Sequence, residues 1–302
     1  MFPIVAAQVV KLFLFIMVGF TLVRTKILPD NAAQTLSKVV LWVFYPAMQL
    51  RNFWLHFNVE QLTESVSLLA LGTAVIAALV LIGRLTGHIF TKDPYSRDVC
   101  NYSVVVPNTA YMGNVLLLEL MGEEALLRFQ IFNIPSTIYT FSIGYAMLMQ
   151  KKENLLKGLL NPPFVSMLIG AALGLLRVPL PAVADEILSV ATDCVGPCSM
   201  LMAGCTIAAF SVREILKNKT VYPVVLVRML LLPLLGYGAN CLLGLPVNLY
   251  TVMMIYLILP AGMNTIMFPA SVRKDCRLGA GIVCVSHSLS LILIPLMMAL
   301  LL

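Results

Sequence analysis

The chain has 302 residues, of which 60% are hydrophobic and only 11% are charged. Ordinary soluble domains carry about 25% charged residues. This composition, with a mean hydropathy of +0.94, therefore excludes a soluble protein and indicates an integral membrane protein. The formal net charge of +6 comes from basic residues in short loops between apolar segments, where such residues set orientation. Nucleic-acid binding is not expected.

Apolar segments close to the length of about 20 residues that crosses a bilayer core recur along the whole chain. They cover residues 4–23, 37–55, 65–90, 98–120, 125–150, 162–176, 187–210, 221–243, 248–272 and 278–301. No soluble domain fits between them. The sequence therefore predicts an all-α integral membrane protein with ten transmembrane helices.

Lysines and arginines concentrate at alternate connections between these segments, namely the first, third, fifth, seventh and ninth. They are Arg24, Lys26, Lys38, Arg84, Lys92, Arg97, Lys151, Lys152, Lys157, Arg213, Lys217, Lys219, Arg273, Lys274 and Arg277. The other connections hold Arg51, Arg128 and Arg177. The positive-inside rule then places the odd connections in the cytoplasm. We predict a multi-pass protein of the inner or plasma membrane with both termini outside the cytoplasm.

The fourth segment is interrupted by Pro107, Asn108 and Thr109. Proline removes a helical hydrogen bond and clashes with the preceding turn, and Asn108 stands where a new helix would need an N-cap. Irregular backbone at membrane depth is tolerated only where it is buried in protein or lines a wet cavity. The motif therefore predicts either an ordinary proline kink or a helix broken at a binding site.

The ninth segment contains a second interruption, at Pro260, which lies 153 positions after Pro107. It too is followed by an Asn-Thr pair, Asn264 and Thr265. The recurrence favours two broken helices over two unrelated kinks, and its spacing of about half the chain suggests an internal repeat.

The repeat extends beyond the two interruptions. Residues 29–50 align with residues 181–202, with Pro46 opposite Pro197. Each half of the chain holds five segments, an odd number, so the second half enters the membrane inverted. We predict a first repeat at 1–150 and a second, inverted repeat at 151–302. Inverted repeats with paired broken helices are typical of secondary transporters, whose substrate binds near the midplane.

These residues resemble the auxin efflux carrier family, whose bacterial members are commonly described as malate or malonate permeases. The resemblance covers nearly the whole chain. Its motifs are Pro107-Asn108-Thr109 with Gly113, Tyr45-Pro46, Pro260-Ala261-Gly262, and Ser286, Ser288 and Ser290. It implies the crossover fold of bile acid/sodium symporters and sodium/proton antiporters, with a scaffold domain and a transport domain. The short link at 151–161 replaces the long cytoplasmic loop of plant members, which indicates a compact bacterial member and argues against auxin as the substrate.

Two broken helices that cross antiparallel would point the N-termini of their second halves at the crossing. Helix N-termini offer free N–H groups and a partial positive charge, which suits a carboxylate. Nearby amide and hydroxyl side chains would add hydrogen-bonding groups. The predicted substrate-binding residues are Pro107, Asn108, Thr109, Asn114, Pro260, Gly262, Asn264 and Thr265. The alternative for Asn108 and Asn264 is that each only caps its helix.

Two titratable residues lie inside predicted spans and are candidates for coupling transport to a proton or cation. Asp193 is the acidic residue farthest from a segment end, and intramembrane carboxylates are usually functional; the alternative is a place in the outer interface. His287 titrates near neutral pH, or is held by neighbouring hydroxyl groups. Lys11 and Arg228 either snorkel to the interface or serve as counter-charges for an anion.

Other features receive structural interpretations. Gly170 and Gly174 have the spacing of a small-residue helix-packing motif. Gln130 and Asn133 are expected to pack towards the bundle interior, without an assigned role. The cysteines show no metal spacing and no disulfide framework, so no metal and no cofactor are expected.

The leading interpretation is a secondary transporter that moves a small organic anion by alternating access. A second is a sodium- or proton-coupled symporter or antiporter of the same fold for another solute. A membrane enzyme is the remote alternative, because His56, His88 and His287 are scattered and no catalytic constellation is present. The expected partners are the anion, a coupling proton or sodium ion, the lipid bilayer and a second copy in a homodimer.

Overall fold

The computed structural model describes residues 2–150, 160–272 and 274–301. Their regular secondary structure is helical, and they contain no β-sheet. The one β-type pairing reported among them is an isolated antiparallel bridge between Pro107 and Ala261. The prediction of an all-α protein is thus confirmed.

The first half of the chain forms helices that are often interrupted by a single wide π-helical turn. They are α1 (Phe2–Arg24), α2 (Ala32–Val39), α3 (Tyr45–His56), α4 (Leu62–Phe90), α5 (Pro94–Val105), α6 (Asn114–Phe132), α7 (Ile134–Tyr139) and α8 (Tyr145–Met149). Single π-helical turns at Val40–Phe44 and Thr140–Gly144 join α2 to α3 and α7 to α8, and a third, Thr109–Gly113, leads into α6. Gly122, with φ 81°, bends α6 sharply, so its two parts fall on the predicted fourth and fifth segments.

The second half has a similar make-up. Its helices are α9 (Pro162–Leu175), α10 (Ala182–Asp193), α11 (Val195–Ala208), α12 (Val212–Ile215), α13 (Val221–Leu226), α14 (Leu232–Leu243), α15 (Val247–Ile258), α16 (Asn264–Ser271) and α17 (Arg277–Leu301). A π-helical turn, Val227–Leu231, joins α13 to α14.

Local capping explains where two of these helices begin. The Asp93 side chain accepts a hydrogen bond of 2.7 Å from the Ser96 N–H, and Asn161 accepts one of 3.0 Å from the Phe164 N–H. In both cases a proline occupies the first turn, where its missing N–H costs nothing. Helix α5 therefore starts four residues before the predicted apolar segment at 98–120, because a cap and not apolarity sets its first residue.

Four helical stretches among the described residues are long and apolar enough to cross a membrane: Glu64–Phe90, Ala182–Ala208, Val221–Leu243 and Arg277–Leu301. Helices α9 and α15 are shorter apolar helices. Helices lie on each of the ten predicted segments, but several segments are divided by a break or a turn. The apolar helices support a membrane-embedded protein, while the division into ten crossings stays a prediction.

The helices pack in two groups, which are joined by extensive packing of α1 on α17. In the first group, α1 packs on α11 and α3 packs on α9 and α10. In the second group, α4 packs on α5, α6 and α7, and α17 packs on α13 and α15. A β-carbon on Gly170 would lie 2.5 Å from the Leu50 carbonyl oxygen, and one on Gly174 would lie 2.4 Å from that of Phe57. These two glycines let α9 approach the backbone of α3, which confirms the predicted small-residue packing.

Candidate functional site

The two predicted interruptions meet inside the protein. Helix α5 ends at Val105 and α15 ends at Ile258, and the extended residues after each run antiparallel to one another. The Asn108 N–H donates to the Pro260 carbonyl at 2.8 Å, and the Gly262 N–H donates to the Val106 carbonyl at 2.9 Å. Each break thus satisfies the backbone groups of the other, as buried irregular backbone requires.

Helix α17 supports both breaks from one side. The Ala261 N–H donates to the Ser286 hydroxyl at 3.3 Å, and the Asn108 Nδ2 lies 2.9 Å from Nε2 of His287. His287 Nδ1 lies 2.9 Å from the Val283 carbonyl oxygen, which can only accept. Nδ1 therefore carries the proton, and Nε2 accepts from the Asn108 amide.

The capping alternative for the two asparagines is not supported. The Asn108 side chain makes no capping hydrogen bond and is committed to His287 instead. Asn264 is the first residue of α16, whose N-cap position is held by Met263. The Thr265 hydroxyl donates to the Gly262 carbonyl at 2.7 Å, so Thr265 closes the second break.

A cavity of about 220 Å³ lies beside the crossing. Five predicted site residues line it: Pro107, Asn108, Thr109, Gly262 and Asn264. Its walls are mostly aliphatic and aromatic, with several amide and hydroxyl groups among them, and no charged side chain is among the lining residues described. The cavity therefore has room for a small molecule.

The other three predicted site residues lie behind the cavity wall. The Pro260 carbonyl accepts from Asn108, and Thr265 bonds within its own turn. Asn114 is fully buried, with its amide beside the Tyr45 hydroxyl but without a hydrogen bond of good geometry. The structure thus brings five of the eight predicted residues to the cavity and uses at least two of the others to hold the breaks.

Three further polar residues line the cavity, of which Gln130 and Asn133 were expected in the bundle interior without a role and Gln49 was not predicted. Gln49, Gln130 and Asn133 line it and are each at least 94% buried. Gln130 shares a hydrogen bond of 2.7 Å with Asn52, and Asn133 donates to Thr109 at 3.1 Å. One side-chain amide atom of each of the three has no hydrogen-bond partner. A buried polar atom that stays unpaired costs about 1–3 kcal/mol of stability. Such groups are suited to hydrogen-bonding a ligand or water.

A sequence signal for two of these residues existed. Gln130, Asn133 and Thr137 recur at intervals of three and four residues in an otherwise apolar segment, which places them on one helix face. All three line the cavity.

The remaining candidate charges lie elsewhere. Asp193 is exposed at the end of α10, where the helix is interrupted before α11, and it does not line the cavity. Lys11 forms an ion pair of 3.1 Å with Glu119. Arg228 is 0% exposed, so the prediction that it snorkels to the interface is wrong. Neither Lys11 nor Arg228 lines the cavity, so neither is a direct counter-charge there.

A charged network joins α3 to α6 on the predicted outer side. Arg51 lies 2.5 Å from Oε1 of Glu123 and 2.6 Å from Oδ1 of Asp185. His56 Nε2 lies 2.6 Å from Oε2 of Glu123. Burial alone would raise the pKa of the Glu123 carboxyl, but hydrogen bonds and charge from Arg51 and His56 outweigh it and hold the pKa below its usual value of 4.5.

This network predicts acid sensitivity. When a carboxyl has a lower pKa in the folded protein than in the unfolded chain, its ionised form stabilises the fold at any pH above the unfolded pKa. This stabilisation is lost as the pH falls through the pKa of the folded state. The melting temperature of the parent should therefore drop more than that of Glu123→Gln as the pH falls below 4.5 and through the lower folded pKa, with the two curves converging at still lower pH. Thermal unfolding in detergent across this range measures the difference. Equal acid sensitivity of the two proteins would contradict the prediction.

The fold and the site define an α-helical membrane protein with a small, largely apolar cavity that holds several amide and hydroxyl groups where two broken helices meet. The model of a family described as membrane transport protein matches residues 4–158 and 151–298. The chain belongs to this family, which includes the auxin efflux carriers, and it is a membrane transporter. The resemblance seen in the sequence is thereby confirmed. A comparison with curated proteins finds no significant match. Because the family is one of transporters, membership is consistent with the prediction that the chain is not an enzyme.

Proposed function

We propose that this protein is a secondary transporter that moves a small organic anion, such as a carboxylate, by alternating access around the crossing of its two broken helices. The observation that carries the proposal is the antiparallel pairing of the breaks at Pro107 and Ala261, beside a cavity lined by residues of both. In the proposed architecture the chain crosses the membrane ten times as two inverted repeats, 1–150 and 151–302. The broken segments occupy equivalent places in them.

The cavity's chemistry supports an anion. The helical turns that begin at Thr109 and Asn264 start at its wall, and helix N-termini carry free N–H groups and a partial positive charge. No carboxylate stands among its described lining residues to repel an anion. Asn108, Asn133 and Gln130 offer amide groups that can orient the rest of the molecule.

The contacts between the two helical groups differ at the two ends of the protein. On the predicted outer side, Lys11 of α1 pairs with Glu119, and Arg51 and His56 of α3 pair with Glu123. On the predicted cytoplasmic side, a second cavity of about 360 Å³ separates α2 from α16. Ser37 and Met267 line both cavities. This asymmetry supports a conformation closed to the outside and approached from the cytoplasm.

Coupling to protons is the second candidate, and one contact favours it. His287 accepts a hydrogen bond from Asn108, so protonation of His287 Nε2 would end this bond and change a cavity residue directly. Asp193 remains a proposed coupling residue, but it would have to act from outside the cavity. Sodium coupling, another solute and a homodimer remain predictions from the sequence.

Uptake and counterflow of labelled mono- and dicarboxylates into proteoliposomes test the proposal, with and without imposed proton and sodium gradients. We expect saturable flux of at least one carboxylate. If protons are coupled, His287→Gln should alter the pH dependence, whereas coupling through Asp193 predicts that Asp193→Asn does so. Failure of every carboxylate to move under any gradient would reject the organic-anion assignment. Amines, aromatic compounds and cations would then be tested.

A further inference from the structure

Arg228 is the largest fully buried side chain among the described residues. It lies on the π-helical turn Val227–Leu231. Its guanidinium donates three hydrogen bonds to backbone carbonyl oxygens: Nε to Leu259 at 3.0 Å, one terminal nitrogen to Val104 at 3.0 Å, and the other to Tyr256 at 2.7 Å. The planar donor fork of arginine suits several fixed acceptors at once.

These carbonyls belong to the C-terminal ends of the two broken helices. Val104 lies in the last turn of α5, and Tyr256 and Leu259 lie at the end of α15. The last four carbonyls of a helix have no partner within it, and together they carry about half a negative charge. Arg228 thus caps both negative ends with one side chain.

The charge of Arg228 has no acidic partner among the described residues, since every ion pair reported there involves other side chains. Its guanidinium lies 5.8 Å from the centre of the Tyr256 ring. The Tyr256 hydroxyl in turn lies 3.1 Å from the Val105 carbonyl oxygen and 2.8 Å from Ser136. The single positive charge is therefore balanced by two helix ends of about half a charge each.

Each broken helix brings a negative end and a positive end close to the cavity. Val106 and Pro107, which line it, directly follow the end of α5, and Thr109 begins the next helical turn. Gly262 and Asn264 stand in a similar place in the second break. Left uncapped, the two negative ends would offset the attraction of the N-termini for an anion.

We propose that Arg228 is a specificity-determining residue: its charge cancels the negative helix ends at the crossing and leaves the cavity with a positive potential that favours anions. The inference deepens the proposed function and rests on it, since the potential selects a substrate only if the cavity binds one. A purely structural cap would hold the helix ends together without controlling the sign of the potential.

A labelling experiment measures that potential without a substrate. Thr137 lines the cavity and is half-buried, so Thr137→Cys provides a thiol there. The purified protein reacts with sulfonatoethyl and trimethylammonioethyl methanethiosulfonates, the first negative and the second positive. Mass spectrometry measures the rate at which each reagent labels position 137, without counting labelling of other cysteines. Each rate is then divided by the rate at which the same reagent reacts with a small thiol in solution. The normalised anion-to-cation rate ratio reports the local potential.

We expect a ratio above one in the Thr137→Cys protein. Arg228→Met should lower it at least roughly tenfold, as loss of a nearby charge in a medium of low effective dielectric predicts. Arg228→Lys keeps the charge with fewer fixed hydrogen bonds, so it should lower the melting temperature but keep the ratio within about threefold. Lys11→Met is the matched control, because it removes an exposed cation that does not line the cavity and caps neither broken helix, and it should leave the ratio unchanged.

Three results would overturn the proposal: a ratio of one or less before any change at Arg228, an unchanged ratio in folded Arg228→Met, or a collapsed ratio in folded Arg228→Lys. The first and third remain decisive even if Arg228→Met does not fold. Because no substrate is involved, the outcome is separate from that of the flux assay. A lowered ratio in Arg228→Met with no carboxylate flux would reject the proposed substrate class and leave the role of Arg228 standing.

Discussion

Asn108→Ala is expected to reduce saturable flux at least tenfold while leaving the protein folded. The change removes the amide that lines the cavity and its hydrogen bond of 2.9 Å to His287. It keeps the backbone bonds that pair the two breaks, because these join the Asn108 N–H to the Pro260 carbonyl and the Gly262 N–H to the Val106 carbonyl. His287 Nε2 then has no hydrogen-bond partner in a buried place, which costs about 1–3 kcal/mol. We therefore expect weaker substrate binding and a disturbed local geometry.

The measurement is initial uptake at several substrate concentrations in proteoliposomes with equal protein content. Asn218→Ala is the matched control, because Asn218 is exposed, lies outside the central cavity and bonds only locally to the Thr220 N–H. Asn264→Ala tests the second break in the same way. Normal transport by both Asn108→Ala and Asn264→Ala, correctly inserted, would refute the assignment of this cavity as the substrate site.

Cross-linking Lys11→Cys to Glu119→Cys with a short bifunctional thiosulfonate reagent should stop transport almost completely. The parent side chains are 3.1 Å apart and belong to opposite helical groups. Alternating access requires these groups to separate on the predicted outer side, and a covalent link would prevent it. Reduction of the link should restore flux.

A second pair controls for the reagent. Glu64 and Arg128 are 3.0 Å apart, but α4 and α6 belong to the same helical group. Linking Glu64→Cys to Arg128→Cys should therefore leave most of the flux intact. Full transport by the cross-linked Lys11–Glu119 pair would show that the two groups do not separate there, whereas loss of flux in both pairs would trace the effect to the reagent or to general rigidity.

Local features were predictable because each depends on a short stretch of chain. The membrane class follows from composition, and the breaks at Pro107 and Pro260 follow from the missing N–H of proline. The packing role of Gly170 and Gly174 follows from their spacing. Capping was predictable in part: proline and a cap residue start α5 and α9, yet the apolar pattern placed the start of α5 four residues late.

The composition of the cavity was less predictable because its walls come from distant segments. The expected pair of breaks does line it, but Gln49 and Gln130 contribute from α3 and α6, and nothing in their local sequence shows that they face the same space. Asp193 looked like an intramembrane carboxylate by its position along the chain. In the structure its side chain is exposed at the end of α10, within the apolar stretch Ala182–Ala208 but outside the cavity.

The sequence by itself determined that this protein is a helical membrane protein, where its helices break, and which residues stand at the breaks. These depend on apolarity and on backbone hydrogen bonding, which act between near neighbours. Only the tertiary structure decided that the two breaks pair with each other, that His287 holds Asn108, and that Arg228 caps the ends of two helices far apart in sequence. A buried charge or amide must find its partner wherever packing supplies one, and packing is a property of the whole fold.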